Sequence, residues 1–196
     1  MRPRSIRPSL ADARSAGRGV RHRGLTLIEL LTTLALAAIL LTLGVPAFNE
    51  VMARHRVTTA ANGLLADVHL ARSEALKRGV RVALCTGSET ETSPGFACAA
   101  GDWHSGYLIF IDADGDGVID APSDVLRVVA GTPNAPIPIA GDRQVVTFFA
   151  DGTADLTDDT PLTWTLSDPG SHNPRIITLA RTGRAMSCDP ARRPCD

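Results

Sequence analysis

Hydrophobic and polar positions divide the chain into three stretches with different periods. From residue 25 to 45 the sequence LTLIELLTTLALAAILLTLGV is apolar on every side, and Glu29 is its one charge. As a helix rising about 1.5 Å per residue it would be roughly 31 Å long, close to the hydrocarbon thickness of a bilayer. Residues 48–78 keep a helical period but confine it to one face: Val57, Ala61, Leu64, Val68, Ala71 and Ala75 recur every three or four positions. Arg54, Arg56, Asp67, Arg72, Glu74 and Lys77 are expected largely off that stripe, with His55 and His69 on or beside it. Pro46, with Gly44 before it, is expected to kink or loosen the helix, and Gly79 to stop it.

Beyond Gly79 short runs rich in β-branched and aromatic residues alternate with clusters of Gly, Pro, Asp and Asn. They predict strands over 80–86, 107–112, 125–129, 145–150, 162–166 and 175–181. Trp103, Trp164, Phe148 and Phe149 read as core. The predicted class is α+β: a long N-terminal helix, half membrane-spanning and half amphipathic, packed on a C-terminal antiparallel β-rich domain. The expected segments are a basic leader over 1–24, a membrane or filament-core helix over 25–46, an amphipathic helix over 47–79 and a globular domain over 80–196.

Charge adds a direction. Residues 1–24 hold seven arginines against Asp12, a balance of +6, so a chain of net charge −1 carries −7 over its other 172 residues. Positive charge beside a membrane segment stays cytoplasmic, which points to a single-pass inner-membrane protein with its globular domain in the periplasm. Export also changes the reading of Cys85, Cys98, Cys188 and Cys195. No Cys-x-x-Cys pair suggests structural zinc, and an even number in an oxidising compartment suggests two disulfides with three possible connectivities. Short loops close most easily, which favours Cys85 with Cys98 and Cys188 with Cys195.

Glu29 needs its own explanation, because a carboxylate in a bilayer costs on the order of 2–3 kcal/mol unless paired. An ordinary signal peptide cut after Ala47 leaves it unexplained. The string Arg23-Gly24-Leu25-Thr26-Leu27-Ile28-Glu29 resembles the class III signal of type IV prepilins and pseudopilins. The resemblance implies that a prepilin peptidase cuts between Gly24 and Leu25, that the new N-terminus is methylated, and that the apolar helix is retained. It also implies that Glu29 serves filament assembly by pairing with a subunit's N-terminal amine, since two buried opposite charges can compensate each other.

Three further stretches narrow the likeness: Ala71-Arg72-Ser73-Glu74-Ala75-Leu76-Lys77-Arg78, Trp103-His104-Ser105-Gly106-Tyr107-Leu108-Ile109-Phe110 and Thr182-Gly183-Arg184. In that order they resemble the GspH/FimT family of minor pilins and pseudopilins. Two functions follow as expectations: a minor pilin that helps prime or cap a type IV pilus, or a minor pseudopilin of a type II secretion system. The implied partners are other pilins or pseudopilins, the prepilin peptidase and the inner membrane.

Two candidate binding sites remain. Asp112, Asp114, Asp116 and Asp120 occupy positions 1, 3, 5 and 9 of a string resembling an EF-hand calcium loop, with Gly117 at 6. Position 12 is Ser123 rather than glutamate, and the other reading is a turn between two strands. Near the C-terminus Arg175, Arg181, Arg184, Arg192 and Arg193 face only Asp189 and Asp196. Some FimT-like members bind double-stranded DNA through a glycine-arginine motif here, which implies a DNA surface at Arg181, Gly183, Arg184, Arg192 and Arg193. Met186 stands where that motif has a second arginine, and Arg192 and Arg193 are the expected substitutes. The other reading is a set of solvated arginines on a body whose −7 repels phosphate. Apart from calcium no cofactor is expected, nor is enzymatic activity: the five histidines lack ligand spacing, and no nucleophile elbow, P-loop or dinucleotide motif appears.

Overall fold

The computed structural model describes Gly24 and residues 26–89, 96–98, 101–131 and 137–192. Helix α1 runs over Leu27–Arg78. Its start has a local cause, for the Thr26 hydroxyl accepts the Glu29 backbone N–H at 3.3 Å, the N-cap half of a Thr-x-x-Glu capping box. Within the apolar stretch Thr32, Thr33 and Thr42 donate their hydroxyls to carbonyls three residues back, so these polar side chains need no external partner. The helix continues through Gly44 and Pro46 without a break, so the expected loosening does not end it. It ends where expected: Gly79 turns to φ +67°, which only glycine adopts freely, and its N–H bonds the Ala75 carbonyl at 2.9 Å. The chain divides into two compact units, Met1–Thr42 and Leu43–Asp196.

Within the second unit the described residues form nine strands in two antiparallel sheets. The first sheet contains β1 (Val82–Glu89), β2 (Phe96–Cys98), β3 (Gly106–Ile111), β4 (Val125–Ala130) and β6 (Val145–Phe148). Strand β3 pairs one edge of β1, while β6 and β2 share the other edge in succession, over residues 82–85 and 87–89. The second sheet orders β5 (Ile139–Gly141), β7 (Leu162–Asp168), β8 (Ser171–Leu179) and β9 (Ala185–Cys188). Short strands β2, β5 and β9, three or four residues each, lack the run length that marks a strand in sequence. Strand β8 stops at Leu179, which leaves Ala180 and Arg181 to a turn.

The apolar stripe of α1 closes the core. Val57, Ala61, Leu64, Val68, Ala71 and Ala75, each at most 1% exposed, pack with Val82, Leu84 and Ile109 of the first sheet and Trp164, Ile177 and Leu179 of the second. Alternation along β1 and β3 sends Ala83, Cys85, Leu108 and Phe110 to the opposite face, where Ile119, Val125 and Cys98 cover them. Trp103, Trp164 and Phe148 are core as expected, whereas Phe149 is half-buried beneath the Arg81 guanidinium, 5.3 Å from its ring centre. The Cys85–Cys98 disulfide forms, with Cα atoms 5.5 Å apart, and fastens β2 to β1. Cys195 lies outside the described residues, and no described cysteine is free.

Asp67 departs from its expected position off the stripe: it is 3% exposed among the apolar residues of α1. It is tolerated there because both carboxylate oxygens have donors. The Tyr107 hydroxyl donates to one at 2.6 Å, and Arg127 Nε lies 3.2 Å from the other. Burial, and after it this hydrogen bond, push the Tyr107 phenol far above its ordinary range, so it remains a donor.

Candidate functional site

At the N-terminal end Gly24 is exposed and Leu25 lies outside the described residues. Every residue from 27 to 42 is exposed, Glu29 included. Leu27, Leu36 and Leu40 show 76%, 62% and 71% of their surface, so large apolar side chains of this stretch are exposed among the described residues. By length and composition it can cross a membrane. The Thr26 cap supplies a second, local reason for a carboxylate at 29: an acid in the first turn favours the helix dipole. The spacing Thr26-x-x-Glu29 is the sequence signal that carries this.

The arginines of the C-terminal segment separate into two places. Arg181 and Arg184 flank a tight turn joining β8 to β9, closed by Gly183 N–H to the Ala180 carbonyl at 2.8 Å and Ala180 N–H to the Arg184 carbonyl at 3.0 Å. Both side chains are exposed; among the described residues the almost fully exposed Asp159 pairs with Arg181, at 3.8 Å. Gly183 is buried at φ +75°, and a Cβ there would run into the Gly152 carbonyl, so its glycine is dictated by backbone and packing. Arg192 lies past the other end of β9, a strand roughly 13 Å long at about 3.3 Å per residue. There it pairs with Asp189 at 3.6 Å. Arg192 therefore does not join Arg181 and Arg184 in one cluster, and Arg193 lies outside the described residues. Arg175 is half-buried on β8.

The acidic string connects β3 to β4, which are antiparallel neighbours. Carboxylate oxygens of Asp112, Asp114 and Asp116 come within 4.8 Å of one another, Asp112 buried and the other two exposed. Each also caps the loop's own backbone: Asp112 accepts Gly115 and Gly117 N–H at 3.0 and 3.3 Å, Asp114 accepts Asp116 N–H, and Asp116 accepts Val118 N–H. Asp120 joins this crowd electrostatically; Asp114 foremost, then burial and the other loop carboxylates, raise its carboxyl above the usual range. Asp124 accepts the Ala121 N–H at 3.1 Å, and Ser123 lies in a short 3-10 turn over Pro122–Asp124.

Among the histidines, His55 and His69 are exposed on α1, and His104 is half-buried with Nδ1 3.9 Å from the Asp102 carboxylate. An open cavity of about 250 Å³ beside Asp67 is lined by Gly63, Leu64, Trp103, His104, Arg127 and Ile139 among others. Its polar wall is the Asp67–Tyr107–Arg127 group already engaged in the core.

Comparison with known proteins gives two family matches. The model described as type II transport protein GspH matches residues 60–183, and the prokaryotic N-terminal methylation motif matches residues 20–45. No curated protein matches the chain. Two crystal structures of the type IV minor pilin FimU from Pseudomonas aeruginosa strain PAO1 share the fold, at 23% and 24% identity with TM-scores of 0.53 and 0.51. They cover 73% and 71% of this chain and 96% and 98% of their own.

Proposed function

The chain belongs to the GspH family of type IV minor pilins and type II secretion minor pseudopilins, and from that premise we propose that it is a minor pilin of a type IV pilus that helps prime the filament and binds DNA for uptake. A prepilin peptidase removes residues 1–24, Leu25 is methylated, and the helix anchors the subunit in the inner membrane with its β-rich domain in the periplasm until assembly. The matched methylation motif and the exposed apolar helix support this course. In the filament Glu29 pairs with an N-terminal amine, a partner that this carboxylate lacks in its own described surroundings.

The observation that carries the pilus reading is the Arg181–Arg184 turn: two exposed cations on one tight turn, with a buried glycine between them. Two arginines suit weak, sequence-independent contact with DNA phosphates. The second reading, a minor pseudopilin of a type II secretion system, is favoured by the description of the matched family model. A clean deletion in the native host, scored for twitching motility, DNA uptake and exoprotein secretion, separates the two. The pilus reading expects loss of motility or uptake with normal secretion. Loss of secretion with normal motility and uptake would replace it with the pseudopilin.

For the acidic loop we propose weak calcium binding, favoured by three carboxylates within 4.8 Å and by the charge crowding felt at Asp120. Lacking the bidentate glutamate of position 12, it belongs at the weak end of calcium loops. Calorimetry at millimolar calcium should give a saturable heat that Asp114→Asn removes; the absence of heat would leave the loop a turn.

A further inference from the structure

Two of the sequence stretches singled out above, 71–78 and Thr182-Gly183-Arg184, meet in the fold. Arg72 reaches from α1 to donate Nε to the Gly152 carbonyl at 2.9 Å and Nη2 to the Thr182 carbonyl at 3.0 Å, across 80 and 110 residues of sequence. The two turns it touches also interlock with each other. The Arg181 carbonyl accepts the Ala154 N–H at 2.9 Å, and a Cβ at Gly183 would meet both the Gly152 carbonyl and, at 2.8 Å, Arg72 Nε. Gly152 stands at φ +78°, and a Cβ there would lie 3.0 Å from the Leu76 side chain, so this turn rests directly on α1. A planar guanidinium can serve two carbonyls in fixed directions; a lysine ammonium on its flexible stem does not reproduce that fork.

The clamp holds a turn whose only long exposed cations are Arg181 and Arg184, one on each side of the pinned Thr182 and Gly183. We propose that Arg72 is a positioning residue: it fixes the Arg181–Arg184 turn in one geometry and so presents the two arginines at a set spacing to the phosphates of double-stranded DNA. This role rests on the DNA reading of that turn. Arg72 acts here through the turn: its Nε and Nη2 donate to protein carbonyls rather than pointing free of the fold. Its effect is to remove the ordering that a loose turn would undergo on binding.

The test uses the full processed chain in non-ionic detergent with random-sequence double-stranded DNA at several salt concentrations, and amide exchange of residues 180–184. R184Q, which removes a phosphate contact, should weaken binding and reduce the salt slope by about one. R72Q should weaken binding roughly two- to tenfold, the range expected from loosening one or two ordered side chains. Its salt slope should stay that of the wild type, and the Gly183 and Ala180 amides should exchange faster. R72K, which keeps the charge without the fork, should behave as R72Q does and decides the matter should R72Q not fold. Wild-type binding with unchanged affinity and exchange in the Arg72 variants would overturn the positioning role and leave the arginine turn standing. A wild-type chain that binds no DNA would overturn the DNA reading itself and the role with it.

Discussion

One helix contains two stretches that meet opposite fates in the single chain. From 27 to 42 apolar residues surround the axis and every one of them is exposed. From 57 to 75 they occupy one stripe, and Val57, Leu64 and Val68 are each 1% exposed. Each stretch also holds a carboxylate among its apolar residues, Glu29 in the first and Asp67 in the second. Asp67 has Tyr107 and Arg127 within its own fold, whereas the Glu29 carboxylate has no cation among its described contacts and only the residue's backbone N–H is capped, by Thr26. The difference teaches where each stretch finds its partner. A stripe is completed by the protein's own sheets, while a helix apolar all round is completed only by lipid or other subunits.

The sharpest way to break the comparison is to neutralise each carboxylate. Glu29→Gln should leave the unfolding transition of the detergent-solubilised chain unchanged yet largely abolish filament incorporation, read by immunoblot of sheared filaments. Normal incorporation would mean that Glu29 is only a helix-capping acid. Next in size comes packing. Leu64→Ala should lower stability by about 2–4 kcal/mol in chemical denaturation, the usual loss for a buried leucine. Leu34→Ala should leave that transition where it is, and equal losses would erase the distinction between the stretches. Asp67→Asn keeps the shape but leaves Arg127 without its charge partner; because Arg127 is half exposed, a loss of about 1–2 kcal/mol is expected by the same denaturation.

The smallest expected effect is in acid. Arg56, just before the buried stripe on α1, bonds Asp168 at 3.0 Å; this bond first, then the Gly170 N–H, holds the Asp168 carboxyl below its ordinary 3.8. The unfolded chain therefore binds more protons just below pH 4, so the pair's contribution is complete above the ordinary carboxylate range and is lost as pH falls through the lowered value. Arg56→Ala should flatten the acid limb of a stability-against-pH curve and shift the neutral plateau only slightly, since Arg56 is half exposed. An unchanged acid limb would remove Arg56 from the account.

Local signals were legible and distant ones were not. The stripe, the stop at Gly79 and the long strands follow from side-chain period and backbone conformation, both properties of neighbours in sequence. The Cys85–Cys98 pairing was favoured for the same reason, a short loop. What escaped was set by contact. Asp67 looks solvent-facing until Tyr107 and Arg127, 40 and 60 positions on, are brought to it. Gly183 shows no packing role of its own until the Gly152 carbonyl is seen in the space a Cβ would take. Arg192 looks like a neighbour of Arg184 until β9 is found between them.

By itself the sequence determined the apolar stretch, the N-terminal methylation motif, the helix and the α+β class, because each is written in composition and period over a few turns of chain. Only the tertiary structure decided that three polar residues of α1 are fasteners: Asp67 to the first sheet, Arg56 to the end of β7, and Arg72 to two turns at once. The physical reason is that a charge near the core is stable only beside donors or acceptors of the right geometry, and the partners for these three come from chain 40 to 112 residues away.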